Sequence, residues 1–345
     1  MTPEHGGRLE LAVREYEIPR GAWIDLSTGI SPLSWPVPTV PGRVWQRLPE
    51  EDGVLESAAA AYYSCEITAL LPVPGSQYAL QYAPSLLPVG RVAMPQRGYT
   101  EHRLAWAVAG HRVVEYTDWT TLQALVRAGE VDHVLLINPN NPSAEQVSRK
   151  PLELLHQRLR SAGGFLVVDE AFADVRSEVS LAPLCPAPGL IVYRSLGKFF
   201  GLAGIRLGFL LAEAPLRQKL EAQMPPWSVS HPARWIGEAA LSDRRWQLDQ
   251  RARLVQASQA WLDLLQGAIP DLKFKATALF ATGAGDWNYC DRLYRALARR
   301  AVLTRSFENI AGRGMLRFGL PPRARWQETA CSIHEAVREC GCAIV

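Results

Sequence analysis

The residues best suited to chemistry lie in Ser195-Leu-Gly-Lys198-Phe-Phe-Gly201-Leu-Ala-Gly204-Ile-Arg206-Leu-Gly208, a lysine among small residues with a hydroxyl before it and a guanidinium after it. Only five of the 37 basic residues are lysines (150, 198, 219, 273 and 275), so the chain prefers arginine. Arginine stays charged and cannot act as an amine nucleophile, whereas a partly buried lysine can lose its proton and form a Schiff base. A lysine kept in such a chain, inside a glycine-punctuated turn, points to amine chemistry. Ser195 and Arg206 suit a phosphate, the arginine as a charged fork and the serine as a small donor. The trio fits a ligand carrying both an aldehyde and a phosphate, and pyridoxal phosphate answers that description. A lone lysine in a glycine-rich loop is more often a solvated surface residue, so its company decides. Ser-x-x-Lys also serves penicillin-binding proteins, which carry Ser-Asp-Asn and Lys-Thr-Gly elsewhere; neither tripeptide occurs here.

The elements that must position these groups read as α/β. The apolar runs 134–137, 165–168, 190–193 and 207–211 each predict a buried strand, and 151–161, with Leu152, Leu155 and Leu159 on one face, predicts a crossover helix between the first two. That grammar implies a mostly parallel sheet covered on both faces. Residues 53–63 read as a helix, followed by a break at Leu71-Pro-Val-Pro-Gly-Ser76. The first 45 residues, rich in Pro, Gly and Trp, read as an irregular arm. Beyond 228 the pattern is helical over 232–264, then short strands and a last helix over 327–338. The expected plan is an arm at 1–45 that joins the small domain, a large domain over 46–227, and a smaller α+β domain over 228–345.

Ligands of open α/β sheets bind beyond the carboxyl ends of the strands. The first run is followed by Asn138-Pro-Asn-Asn141-Pro142, the second by Asp169-Glu170-Ala-Phe172, and the third by Arg194-Ser195 and then Lys198. Singly, an Asn-Pro pair marks a turn and an acid after a strand caps a helix. Three in succession predict one shared site holding an amide, a carboxylate and an amine.

Composition narrows the class. The 345 residues are 48% hydrophobic and 21% charged with a formal charge of +3, the profile of a globular enzyme without the basic stripe that tracks nucleic acid. The N-terminus has no apolar h-region and no 18 apolar residues run together, so a cytoplasmic protein without a membrane segment is expected. The six cysteines (65, 185, 290, 331, 340 and 342) are scattered, and no metal is expected.

Asn-Pro-Asn-Asn-Pro, Asp-Glu-Ala-Phe and Ser-x-x-Lys-x-x-Gly-x-x-Gly-x-Arg-x-Gly resemble the fold-type I pyridoxal-phosphate enzymes of the class I/II aminotransferase superfamily, and the resemblance spans nearly the whole chain. It implies that Lys198 holds the cofactor as a Schiff base, Asp169 pairs with the pyridine nitrogen, and Asn141 bonds the ring 3-oxygen. Ser195 and Arg206 would bind the phosphate, with Gly75-Ser76-Gln77 as the turn that cradles it. Tyr99 matches the aromatic that stacks on the ring. Arg317, in Leu316-Arg-Phe-Gly319, matches the arginine that grips a substrate α-carboxylate.

His5-Gly6-Gly7, Asp25-Leu-Ser-Thr-Gly-Ile-Ser-Pro32 and Pro226-Trp-Ser-Val-Ser230 further resemble the threonine-phosphate decarboxylases of cobalamin biosynthesis, neighbours of the histidinol-phosphate aminotransferases. That likeness implies a phosphorylated amino acid as substrate, with His5 and Arg149 as candidates for its phosphate, and a homodimer. The rival readings are an aminotransferase, which would require a 2-oxo acid, and a non-catalytic ligand sensor, which would need a DNA-binding domain for which the arm leaves no room. Three departures stand out. Ser143-Ala144 replaces the usual Thr-Gly, Phe172 replaces a tyrosine, and Leu48-Pro49 replaces Tyr-Pro. Loss of the tyrosine hydroxyl at position 172 leaves Asn141 as the main partner of the ring oxygen and suits the decarboxylase branch.

Overall fold

The computed structural model describes residues 6–341, and the chain divides into two compact units. The larger comprises Ser34–Asn141 and Glu145–Leu248; the smaller takes the chain up to Leu33, the short piece Pro142–Ala144, and the chain from Asp249 onward.

A short strand in the smaller unit, β1 (Ile24–Asp25), comes first in the chain. The larger unit then supplies β2 (Leu70–Val73), β3 (Arg91–Pro95), β4 (Arg112–Tyr116), β5 (His133–Ile137), β6 (Leu166–Asp169), β7 (Leu190–Ser195) and β8 (Gly208–Leu211). These seven form one sheet in the order β2-β8-β7-β6-β5-β3-β4. The predicted strands are present, and the crossover helix spans Arg149–Ser161 with Leu152, Leu155 and Leu159 buried. Strands β3 to β7 run parallel; β5, β6 and β7 are buried throughout and mostly apolar, as covering on both faces requires, while the edge strand β4 is largely uncovered. β8 departs from that direction: it lies antiparallel between β2 and β7. The loop from β7 to β8 holds only the short turn Ala203–Ile205 and no crossover helix, so the chain folds straight back.

The smaller unit completes the strand set with β9 (Lys273–Ala276), β10 (Phe280–Asp286), β11 (Val302–Leu303), β12 (Arg305–Ile310) and β13 (Arg313–Gly319). Four of these form an antiparallel sheet ordered β12-β13-β10-β9, while β1 pairs with β11 in parallel.

Three sequence expectations shift. The arm is not wholly irregular: Leu9–Tyr16 is a helix, because Leu9, Ala12, Val13 and Tyr16 share one face and pack with Trp23, Ala298, Ala301 and Leu303. The helical stretch after 230 is two helices, His231–Ser242 and Arg244–Ala268. Asp243 separates them with ψ near 74°, its carboxylate accepting from the Trp35 indole at 3.1 Å and from the Trp246 amide at 3.0 Å. The first of these helices belongs to the larger unit, where Gly237 lets it close onto Leu55, Leu196 and Leu207. Among the described residues, no helix is long and apolar enough to cross a membrane.

Candidate active site

In the larger unit the strand register brings the predicted groups to one edge. Ile137, Asp169 and Tyr193 are in line across β5, β6 and β7, so the loops that follow leave the sheet side by side. These loops carry Asn141, Asp169 itself and Lys198. In the first of them Asn138 and Asn140 are occupied as pins. The Asn138 side chain exchanges hydrogen bonds with Val147, at 2.9 Å each way, and the Asn140 amide donates to the Arg97 carbonyl at 2.8 Å. Both are buried, whereas Asn141 is partly exposed at the loop's end. Ala144, where the family pattern expected from the sequence has glycine, adopts the left-handed conformation with φ near 60°. The substitution therefore preserves the turn at a cost of about 1–2 kcal/mol.

Asp169 is 7% exposed. Its Oδ1 accepts from the Ala171 amide at 3.0 Å, and its Oδ2 lies 2.9 Å from Nε2 of His102. The His102 ring is stacked on Tyr193 at 6.2 Å, and among the described residues its buried Nδ1 has no hydrogen-bond partner. An N–H at Nε2 donates to Asp169 and fixes the direction of the carboxylate. Sequence reasoning missed this pairing. The available signal was spacing: His102 lies three residues after Tyr99 on the helix Thr100–Val108 and its N-cap, hence on the same side. The Tyr99 hydroxyl donates to Gln77 Oε1 at 3.1 Å, and Gln77 in turn donates to Glu101 at 3.2 Å. Burial, then the Glu101 and Asp169 charges, push the Tyr99 phenol up to about 12, so it remains a donor at any physiological pH.

The phosphate-type residues gather around two glycines. Val73, Gly208 and Ser195 occupy one row across β2, β8 and β7. A Cβ on Gly208 would lie 2.4 Å from the Ser76 amide nitrogen, and one on Gly75 would lie 2.6 Å from Arg206 Nη2. A side chain at either position would displace a neighbour, and the close approaches draw the Ser76 N–H, Ser195 and the Arg206 guanidinium together at this edge of the sheet. Arg206 is exposed, with a left-handed φ of 53°. Lys198 is half-buried, its Nζ 5.6 Å from the centre of the Phe172 ring. An amine, a buried carboxylate and a serine–arginine cradle with glycine-sized floor space are the donor set a pyridine aldehyde phosphate needs.

Behind this edge lies a second polar group. Arg194 donates to Glu170 at 2.7 Å and to Asp174 at 2.8 Å, its guanidinium lies 4.5 Å from the Tyr63 ring centre, and all three charged groups are buried. Burial opposes the Arg194 charge, but Asp174 and Glu170 outweigh it and hold its pKa well above the ordinary value. Arg149, at the start of its helix, donates to Glu153 at 2.9 Å.

In the smaller unit Arg317 is 6% exposed on β13, opposite Thr282 of β10 and Arg305 of β12. Both guanidiniums lie near the Phe307 ring, Arg305 at 5.2 Å and Arg317 at 5.8 Å from its centre. Burial first, and then Arg305, pull the Arg317 pKa down to about 9, a direction that an anion nearby would reverse. Arg305 had no sequence signal; only strand register sets it against Arg317. His5 lies outside the described residues.

The sequence pattern of aminotransferase class I and II matches residues 49–328. The chain belongs to this family. Pyridoxal phosphate is its cofactor. Threonine-phosphate decarboxylase of Pseudomonas aeruginosa is 46% identical over 328 residues, 94% of this chain and 95% of the relative. Among solved structures, histidinol-phosphate aminotransferase from Sinorhizobium meliloti in complex with pyridoxal-5'-phosphate has a TM-score of 0.84 at 20% identity, covering 98% of this chain and 96% of that one. L-threonine-O-3-phosphate decarboxylase from Porphyromonas gingivalis has a TM-score of 0.70 at 18% identity, covering 91% and 98%. The two structural likenesses establish the fold-type I architecture of this family member, a large α/β unit with a smaller α+β one.

Proposed function

We propose that this class I/II family member is a carboxy-lyase that converts L-threonine O-3-phosphate to (R)-1-amino-2-propanol O-2-phosphate and carbon dioxide, in cobalamin biosynthesis. The observation that carries this reading is the near full-length 46% identity to the Pseudomonas aeruginosa decarboxylase. The reading includes a homodimer in the cytoplasm, for which exposed Trp45, Leu48 and Trp227 are compatible surface, and light scattering on the purified protein tests the dimer.

When bound, the cofactor supplies an aldehyde to receive the substrate amine and a cationic ring to draw electrons from Cα. Lys198 would carry it and would supply the proton that Cα needs. Asp169, kept in place by His102, would pair with the pyridine nitrogen and favour its protonated form, because an adjacent opposite charge stabilises the cation. Asn141 would hold the ring oxygen and Tyr99 would cover the ring. Ser195, Arg206, Gln77 and the Ser76 turn would hold the phosphate. Arg317 would take the substrate α-carboxylate and so orient the substrate. Arg305, beside Arg317 in the sheet, suits the second anionic end of a substrate that carries both carboxylate and phosphate; His5 and Arg149 are further candidates for it. The lost carboxylate leaves as carbon dioxide, Cα gains one proton, and no second amino acceptor is consumed.

Product analysis tests the reading: purified, cofactor-loaded protein with L-threonine O-3-phosphate, with and without 2-oxoglutarate. Carbon dioxide and aminopropanol phosphate without the oxo acid are expected. Glutamate formed only when the oxo acid is present would instead make the enzyme an aminotransferase.

A further inference from the structure

Ser27 stands where three parts of the smaller unit meet. Its carbonyl accepts from Nη2 of Arg317. Its hydroxyl accepts from the Gly7 amide at 2.8 Å and donates to Asp25 Oδ1 at 2.6 Å, and its own amide donates to that same oxygen at 2.8 Å. Every polar atom of Ser27 is thus used, and the residue is 2% exposed. Asp25, in β1, fixes it from one side, through the pairing of β1 with β11.

The N-terminal arm seals the other side. A Cβ on Gly6 would lie 2.2 Å from the Ser27 carbonyl oxygen and 3.4 Å from Arg317 Nη2. The arm therefore runs directly over the carbonyl that Arg317 uses, with no room there for a side chain. Gly7 follows with φ near 80°, a conformation that glycine adopts without strain. A side-chain-free segment pressed onto a carbonyl–guanidinium hydrogen bond keeps water from that bond, and a charged hydrogen bond is stronger in such a low-dielectric setting.

We propose that Ser27 is a positioning residue that couples the seating of the N-terminal arm to the aim of Arg317, so that the seated arm and an anion at Arg317 favour each other. This rests on the reading of Arg317 as the holder of the substrate carboxylate. The coupling is reciprocal: whatever factor the seated arm adds to anion affinity, the anion returns to the arm. It also gives the glycine pair at 6 and 7 a role of its own, since any side chain at 6 would lift the arm off the Ser27 carbonyl.

The test uses the cofactor-loaded enzyme and its variants Gly6→Ala, Ser27→Ala, Ser27→Thr and Arg317→Gln. Steady-state kinetics with L-threonine O-3-phosphate, cofactor titration, and hydrogen exchange of the N-terminal peptide are measured on each. Gly6→Ala and Ser27→Ala are expected to raise KM about five- to tenfold with kcat within about twofold, the lower range of such couplings. Cofactor affinity should stay at the wild-type value, and Ser27→Thr, which keeps the hydroxyl, should restore KM. Arg317→Gln should speed arm exchange several-fold, although the Gly7 amide bonds Ser27 and not Arg317. Wild-type KM in both Gly6→Ala and Ser27→Ala, or an unchanged arm exchange rate in Arg317→Gln, would overturn the coupling. If the wild-type enzyme does not turn over this substrate, the proposed activity fails, while the exchange comparison still decides the coupling.

Discussion

Asp169 and Glu170 are neighbours at the end of β6, and the alternation of an extended chain sends their carboxylates in different directions. Glu170 is saturated. Its oxygens accept from Arg194, from the Ser180 hydroxyl and from the Leu181 amide at 2.7 Å, and Arg194 is held in turn by Asp174. Among the described residues Asp169 accepts from the Ala171 amide and the His102 imidazole, with no arginine or lysine paired to it, so its charge is oriented rather than matched as that of Glu170 is. Two acids of nearly the same chemistry thus serve different ends. One is consumed inside the fold as part of a brace under β7, and the other keeps its charge available, as the proposed pairing with a cationic ring requires. What separates an acid that braces from an acid that can act is whether its charge is already matched.

Four substitutions bear on that contrast. The largest effect is expected from Arg194→Met, which leaves Glu170 and Asp174 as two buried carboxylates without their cation. A loss of about 3–5 kcal/mol is expected, read as a shift of the denaturant midpoint; a midpoint near the wild-type value would mean that the brace does not hold the fold. Asp169→Ala should reverse the pattern. Stability should change little and cofactor should remain bound, while kcat falls by about 10²–10³, the scale of one lost electrostatic contact. Normal turnover in that variant would remove Asp169 from the ring nitrogen.

His102→Phe sharpens the comparison, because it keeps the stacked ring and deletes only the donor to Asp169. A drop in kcat of about tenfold is expected, equivalent to ~1.4 kcal/mol, the scale of one hydrogen bond. The visible absorbance of the bound cofactor should titrate at a different pH from wild type, and an identical titration would mean that His102 does not tune Asp169. The smallest effect belongs to the loop that carries Asn141. Ala144→Gly relieves a left-handed alanine and should raise stability by about 1 kcal/mol, seen as a small increase in Tm.

A pH dependence follows from a surface pair in the larger unit. Hydrogen bonds from the Arg91 side chain and amide hold the Asp132 carboxyl down at about 2, below its ordinary 3.8. Because the folded-state value is depressed, the stabilisation is complete above the ordinary value and is lost as pH falls from near 4 through about 2. The pair is largely exposed, so the effect is small. An Asp132→Asn variant should lose acid sensitivity only in that window.

Much of this was legible in the residues themselves. The lysine loop, the Asp-Glu pair and the asparagine-rich turn announce their chemistry by type and spacing, and parallel strands rich in Val, Ile and Leu announce the sheet that gathers them. Local pattern also carried the crossover helix, since its periodic leucines need no distant partner to be recognised. The motif resemblance singled out Asp169, but residue type and spacing could not say what sets it apart from Glu170, because the acids are adjacent and alike. The difference is made by His102, Ser180 and Arg194, which arrive from other elements. Local pattern could not foresee that β8 returns antiparallel, that Arg305 stands opposite Arg317, or that Gly6 lies on Ser27. Chemistry is carried by residue types and short spacings, which a sequence states outright. Register, burial and the matching of one charge by another depend on which distant segments become neighbours, and only the folded chain decides that.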